Sequence, residues 1–89
     1  METDELFLTT MRACGFFYEG IGVIVKEGLL NVRWVALMWG GPTTKYWRLM
    51  EPIMEDLREH HEYPRMQIET EYVCREVIKY MEEHPELKP

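Results

Sequence analysis

The sequence predicts an all-α fold, a four-helix domain with a short second helix and a proline-kinked third helix. Three observations carry that expectation. Apolar residues recur at spacings of three and four along most of the 89-residue chain. Capping and breaking residues divide the pattern at Gly28, at Gly40-Gly41-Pro42 and at Tyr63-Pro64. One β-branched run, Ile21 to Val25, has strand composition, but no second run elsewhere offers to pair with it.

The first helix is expected over about residues 4–27, capped by Thr3 with Asp4 and Glu5 against the N-terminal dipole. Phe7, Met11, Cys14, Tyr18, Ile21 and Val25 form its apolar stripe. Leu6, Ala13, Phe17 and Ile24 widen that stripe enough to suggest packing on more than one neighbour. Gly28 suits the position just past the helix, with Leu29 closing the cap by apolar contact. Asn31 caps a second helix over about 32–39, on which Trp34, Leu37 and Met38 share a side. Gly40-Gly41-Pro42 is expected to stop it. A third helix over about 43–62, capped by Thr43 or Thr44, buries Tyr46, Leu49 or Met50, Ile53, Leu57 and His60 or His61. Pro52 lies too deep to be a first-turn proline, so a kink is expected between Arg48 and Pro52. The fourth helix spans about 65–84 with Met66, Val73, Val77, Tyr80, Met81 and His84 on its stripe and an attractive Glu71–Arg75 pair. Residues 85–89 are expected to fray.

Length and composition bound the function classes. The chain is just large enough for one core without metal or disulfides, so a single domain over residues 1–89 is expected. A net charge of -6 argues against duplex nucleic-acid binding, which needs clustered Lys and Arg. Three Trp, five Tyr, three Phe and seven Met exceed what a small core readily hides, which favours self-association. Cys14 and Cys74 stand alone without CxxC spacing and are read as reduced thiols. The acidic start, Met1 to Glu5, lacks the basic region of a signal peptide, and the apolar tract from Phe16 to Val25 is too short to span a bilayer. A cytoplasmic location with no membrane span follows as an expectation.

Candidate chemistry is thin. Gly40-Gly41-Pro42-Thr43-Thr44-Lys45 looks superficially like a phosphate loop but fails the GxxxxGK[ST] spacing, and Pro42 deletes a backbone donor. A weaker anion site remains, made by Thr43, Thr44, Lys45 and Arg48 at the third helix's N-terminus. His60 and His61 diverge by about 100° on a helix and lack the i, i+4 zinc spacing, and a site joining one of them to Cys14 and Cys74 has no support. No metal or other cofactor is therefore expected. Serine is missing altogether, and Cys14 shows no activating neighbour. Glu19 interrupts an apolar face, as a pocket acid or base, half of an interhelical ion pair, or a solvent-facing residue. Trp34, Trp39, Tyr46 and Trp47 interleave with Arg33, Lys45 and Arg48, and read as core with its rim, as a protein interface, or as a stacking site for single-stranded bases.

The run Phe17-Tyr18-Glu19-Gly20-Ile21-Gly22-Val23-Ile24-Val25-Lys26-Glu27-Gly28-Leu29-Leu30, then Tyr46-Trp47, Leu49, Pro52, Ile53 and Arg58, and finally Ile68-Glu69, resembles a prokaryotic helical family catalogued as a domain of unknown function. The resemblance covers Phe17 to Tyr72. It implies a helical fold and no assigned activity, and it implies neighbours that are often transmembrane segments. This chain departs from the pattern in lacking such a segment and in carrying Asn31 where an acidic cap is commoner. The expected function is a non-catalytic helical module that meets a protein partner or itself, as a homodimer, through Trp34, Trp39, Tyr46 and Trp47 with Arg33 and Arg48 at the rim. A small-ligand or anion-binding protein is the alternative.

Overall fold

The structure, a computed structural model, describes the backbone of residues 2–87 and the side chains of residues 5, 6 and 9–87. The described residues form three α-helices rather than four, and no strand: α1 (Glu2–Lys26), α2 (Val32–His60) and α3 (Ile68–Glu83). A 3-10 turn at Pro85–Leu87 stands where a frayed tail was expected to begin. The expected Thr3 cap, its neighbour Asp4 and the Phe7 position of the first stripe lie outside the described side chains, and Pro89 outside the described residues.

Two of the caps that the sequence signals, at Gly28 and Asn31, are present. Gly28 takes φ +80°, and the amides of Gly28 and Leu29 bond to the carbonyls of Val25 and Ile24, the two bonds that close a left-handed helix end. Leu29 adds no apolar closure, since it is 80% exposed. Asn31 accepts a bond from the Arg33 amide at 2.9 Å and starts α2 as expected.

The expected stop at Gly40-Gly41-Pro42 is a bend instead. α2 continues through it, with Trp39 alone inside the helix holding non-helical angles (φ -136°, ψ 20°). The cause is local: the Pro42 ring crowds the carbonyl four residues back, at Met38, and the chain turns at the next residue. Two contacts hold the chain just past the bend. Thr44 Oγ1 donates to the Gly40 carbonyl at 2.8 Å, and Gly40 lies against α3, where an added Cβ would fall on Met81 Sδ. Pro52 produces no such break, and the backbone from Arg48 to Pro52 stays helical. Arg48 and Pro52 are both exposed.

α3 packs against both other helices, while α1 and α2 meet mainly through aromatic side chains. Val35, Val73, Cys74 and Val77 are fully buried, surrounded by Tyr18, Tyr46, Trp47, Met50, Met54 and Met81. The predicted stripe of α1 holds, with Tyr18 buried and Met11, Cys14, Ile21 and Val25 packed at its edges. Its widening does not: Leu6, Ala13, Phe17 and Ile24 are exposed. On α2 the buried line runs through Tyr46, Trp47, Met50 and Met54; it takes Met50 rather than Leu49, and Ile53, expected to be buried, is 46% exposed with Met54 buried in its place. α3 starts at Ile68, three residues later than expected, after a turn that ends in left-handed Gln67.

The core contains a buried polar pair. The Tyr18 hydroxyl and Thr43 Oγ1 share a hydrogen bond at 2.9 Å, with Thr43 fully buried. Thr43→Val keeps the shape but strands the Tyr18 hydroxyl, so it should cost about 1–2 kcal/mol, as should Tyr18→Phe. The double variant should be no worse than either single one, because both polar atoms are then gone. Urea denaturation of the four proteins checks this, and additive losses would refute the pairing.

Burial also sets the response to alkali. It pushes the Cys74 thiol from 9.0 up to about 12 and raises the Tyr18 and Tyr46 hydroxyls above their ordinary 10.0. For Tyr18 the bond to Thr43 acts the other way. The folded chain therefore keeps protons that the unfolded chain releases from about pH 9 upward. The stabilisation is complete below pH 9 and is lost as pH climbs toward the folded values, by at most about 1.4 kcal/mol per pH unit for each group. A urea midpoint that falls steeply between about pH 9 and pH 11 is expected; a flat profile would count against it.

Candidate functional site

The six residues predicted as one contact surface divide three ways. Trp34 is 61% exposed on the outer side of α2, beside Leu37 and Met38, which are also exposed. Trp39 is half-buried, its ring edge-on to Phe17 at 5.2 Å, and Phe17 is edge-on in turn to Tyr18. Tyr46 and Trp47 are core residues and not surface, which corrects their assignment to an interface. Tyr46 stacks on Tyr18 at 5.0 Å, and Trp47 Nε1 donates to Glu51 at 3.1 Å. Arg75 pairs with that same carboxylate at 3.1 Å and lies over the Trp47 ring.

The cations likewise have separate tasks. Arg33 donates to the Tyr80 hydroxyl at 2.6 Å and ties the start of α2 to α3. Lys45 and Arg48 are exposed beside Gly41 and Thr44 in a cleft of about 370 Å³ that Glu82 also lines. No helix begins there. Thr43 and Thr44 sit inside α2, so their amides belong to a continuing helix, and Thr43 faces the core. The anion site loses its donors by the same fact that removes the fourth helix.

Further polar contacts hold α3 and the turn before it in place. Glu19 of α1 accepts from the Thr70 amide at 2.8 Å and is reached by Thr70 Oγ1 at 3.0 Å. It therefore caps α3 from another helix, where Gln67 supplies no side-chain cap. Lys26 pairs with Glu69 at 2.9 Å. Arg58, nearly buried, donates to the Met66 carbonyl at 2.8 Å and pairs with Glu71 at 2.9 Å. A second cleft, about 490 Å³ between Glu55, Arg58, Glu59, Glu62 and Pro64, is open and acidic around that committed guanidinium. His60 and His61 are exposed with ring centres 5.0 Å apart, and among the described residues no three His, Cys, Asp or Glu converge as metal ligands. Cys14 and Cys74 are free thiols.

A family model, Domain of unknown function (DUF4760), matches residues 2–77. The chain belongs to DUF4760. The resemblance carried by Phe17 to Tyr72 lies inside that span, and the structure gives its residues physical roles. Tyr18 fills the core, Glu19 caps α3, and Gly22 lets α3 come close. Tyr46 and Trp47 anchor α2, while Arg58 holds the turn before α3. Neither curated proteins nor solved structures give a match. Among the described residues no helix is long and apolar enough to cross a membrane.

One surface went unread in the sequence. Phe16 is 76% exposed, and Val23 and Ile24 are 46% and 40% exposed, all on the side of α1 turned away from α3. The signal was there: between Ala13 and Val25 the only charged residue is Glu19. Once Glu19 is given to α3, that stretch has no charge left for its outer face.

Proposed function

We propose that this member of DUF4760 is a non-catalytic, cytoplasmic helical module that works through protein contacts and associates with itself as a homodimer. What supports the reading is a division of the surface. The large exposed apolar side chains lie on α1, on α2 and in the connections; among the described residues none lies on α3, whose outer positions include Arg75, Lys79, Glu82 and Glu83. A helix that is apolar on both sides gains by covering the second side, and exposed apolar surface of this extent marks contact sites. Trp34, with Leu37 and Met38, remains part of that surface, whereas Tyr46 and Trp47 support it from within.

Sedimentation velocity at roughly tens of micromolar should give a dimer, with a thermal midpoint that rises with protein concentration. A monomer throughout that range would remove self-association. Anion binding, the second reading, retains Lys45 and Arg48 but has Glu82 in the same cleft and no helix end to assist it. A midpoint raised by inorganic phosphate would favour it.

A further inference from the structure

We propose that the dimer forms by antiparallel pairing of α1 with α1 of a second copy, about a two-fold axis at Gly20. This rests on the reading that the chain self-associates, and it names the surface. Gly20 is the first observation. It is exposed in mid-helix, where glycine carries a conformational cost, and an added Cβ would meet nothing within 4 Å. Gly15 and Gly22 on the same helix are each explained by the close approach of α3. Among the described residues nothing packs against Gly20 to explain it. A helix from outside, crossing close to the backbone, explains it.

The second observation is that the residues around Gly20 are self-complementary, as a two-fold interface requires. Phe16 lies four residues before Gly20 and Val23 three after it, so an antiparallel copy sets Phe16 on the second Val23. Phe17 and Ile24 meet in the same way on the other flank. Arg12 lies eight residues before Gly20 and Glu27 seven after it, which brings Arg12 opposite Glu27 of the second copy at both ends. Arg12 and Glu27 are exposed and, among the described residues, form no ion pair within the chain. The apolar contacts are thus bracketed by two opposite-charge pairs. The exposed apolar patch of α2, Trp34 with Leu37 and Met38, offers no such match with itself, because from Asn31 to Met50 there are Arg33, Lys45 and Arg48 but no acid.

Phe16, Phe17, Val23 and Ile24, between the two charge pairs, expose on the order of 400 Å² together, given that a large aromatic side chain presents about 150–250 Å². With Arg12 and Glu27 added, the seam is smaller than the ~800 Å² per partner of a standard interface, which suits a dimer that forms only at roughly tens of micromolar.

The test is a charge exchange read by sedimentation. Arg12→Glu and Glu27→Arg each turn two attractive pairs into two repulsive ones and should each weaken the dimer at least about tenfold. An equimolar mixture of the two variants restores both pairs, so it should form a heterodimer about as tight as the wild-type dimer. Gly20→Leu should leave the circular dichroism of the monomer unchanged, because the added side chain has free space, and should abolish the dimer at roughly tens of micromolar. A wild-type dimer that Gly20→Leu and both charge reversals leave intact would overturn the α1 seam while leaving self-association standing. A wild-type monomer would overturn both.

Discussion

Gly22→Ala should cost the protein about 3 kcal/mol and lower its melting temperature by roughly 15 °C. The added Cβ would fall on the Glu69 carbonyl oxygen, with the carbonyl carbon only 2.7 Å away. These are backbone atoms at the start of α3, so no side-chain rotation relieves the clash and the helices must separate. The gain in helix propensity, about 1 kcal/mol, does not offset that separation. Two other glycines calibrate the effect. At Gly15 the new methyl would meet the Gln67 amide at 2.9 Å, the far end of a flexible side chain, so Gly15→Ala should cost much less. At Gly41 it would meet nothing, and Gly41→Ala should stabilise by about 0.5–1 kcal/mol. Urea denaturation of the three variants should give that order. Equal effects at Gly22 and Gly41 would show that α1 and α3 are not in close contact there.

The same glycines show what the sequence could convey. Gly28 with Lys26, Asn31 before Val32, and Glu71 four residues before Arg75 are local signals, and each does in the structure what its local chemistry implies. The stripe Met11, Cys14, Tyr18, Ile21 and Val25 was legible because its spacing admits one helix face. Gly40-Gly41-Pro42 was misread because breaking is only one reason for a glycine. Gly40 is needed where Met81 presses on α2, and that neighbour is 41 residues away in the chain. The phase of α2 was ambiguous for a different cause: Leu49 and Met50, then Ile53 and Met54, supply two apolar lines with equal spacing. Only the position of α3 decides between them.

The candidate site followed the same division. Trp34, Tyr46 and Trp47 look alike in the sequence, aromatic and next to Arg or Lys, yet only Trp34 points outward. Adjacent cations mark the exposed side of a helix turn without saying which neighbouring aromatic shares it. Phe16 is the converse case. It belongs to no predicted stripe, only to an apolar run, and its exposure follows because α3 packs on one side of α1 and Phe16 stands on the other.

Glu19→Ala should destabilise by about 2–3 kcal/mol, the second large effect expected. Its carboxylate accepts from the Thr70 amide, one of the unpaired donors in the first turn of α3, and stands at the positive end of that helix. Alanine removes a cap worth about 1–2 kcal/mol and leaves the amide of buried Thr70 without that partner. Glu19→Gln keeps an acceptor and loses only the charge, so its cost should be nearer 1 kcal/mol. Hydrogen exchange supplies a local readout: in Glu19→Ala the Thr70 amide should lose protection before the centre of α3 does. A Glu19→Ala protein within about 0.5 kcal/mol of wild type would show that the cap contributes nothing. The variant also separates stability from association. Glu19 faces α3, away from Gly20 and Phe16, so Glu19→Ala should unfold more readily yet dimerise as the wild type does while it is folded. Loss of both properties together would mean that the outer face of α1 depends on how α3 is held.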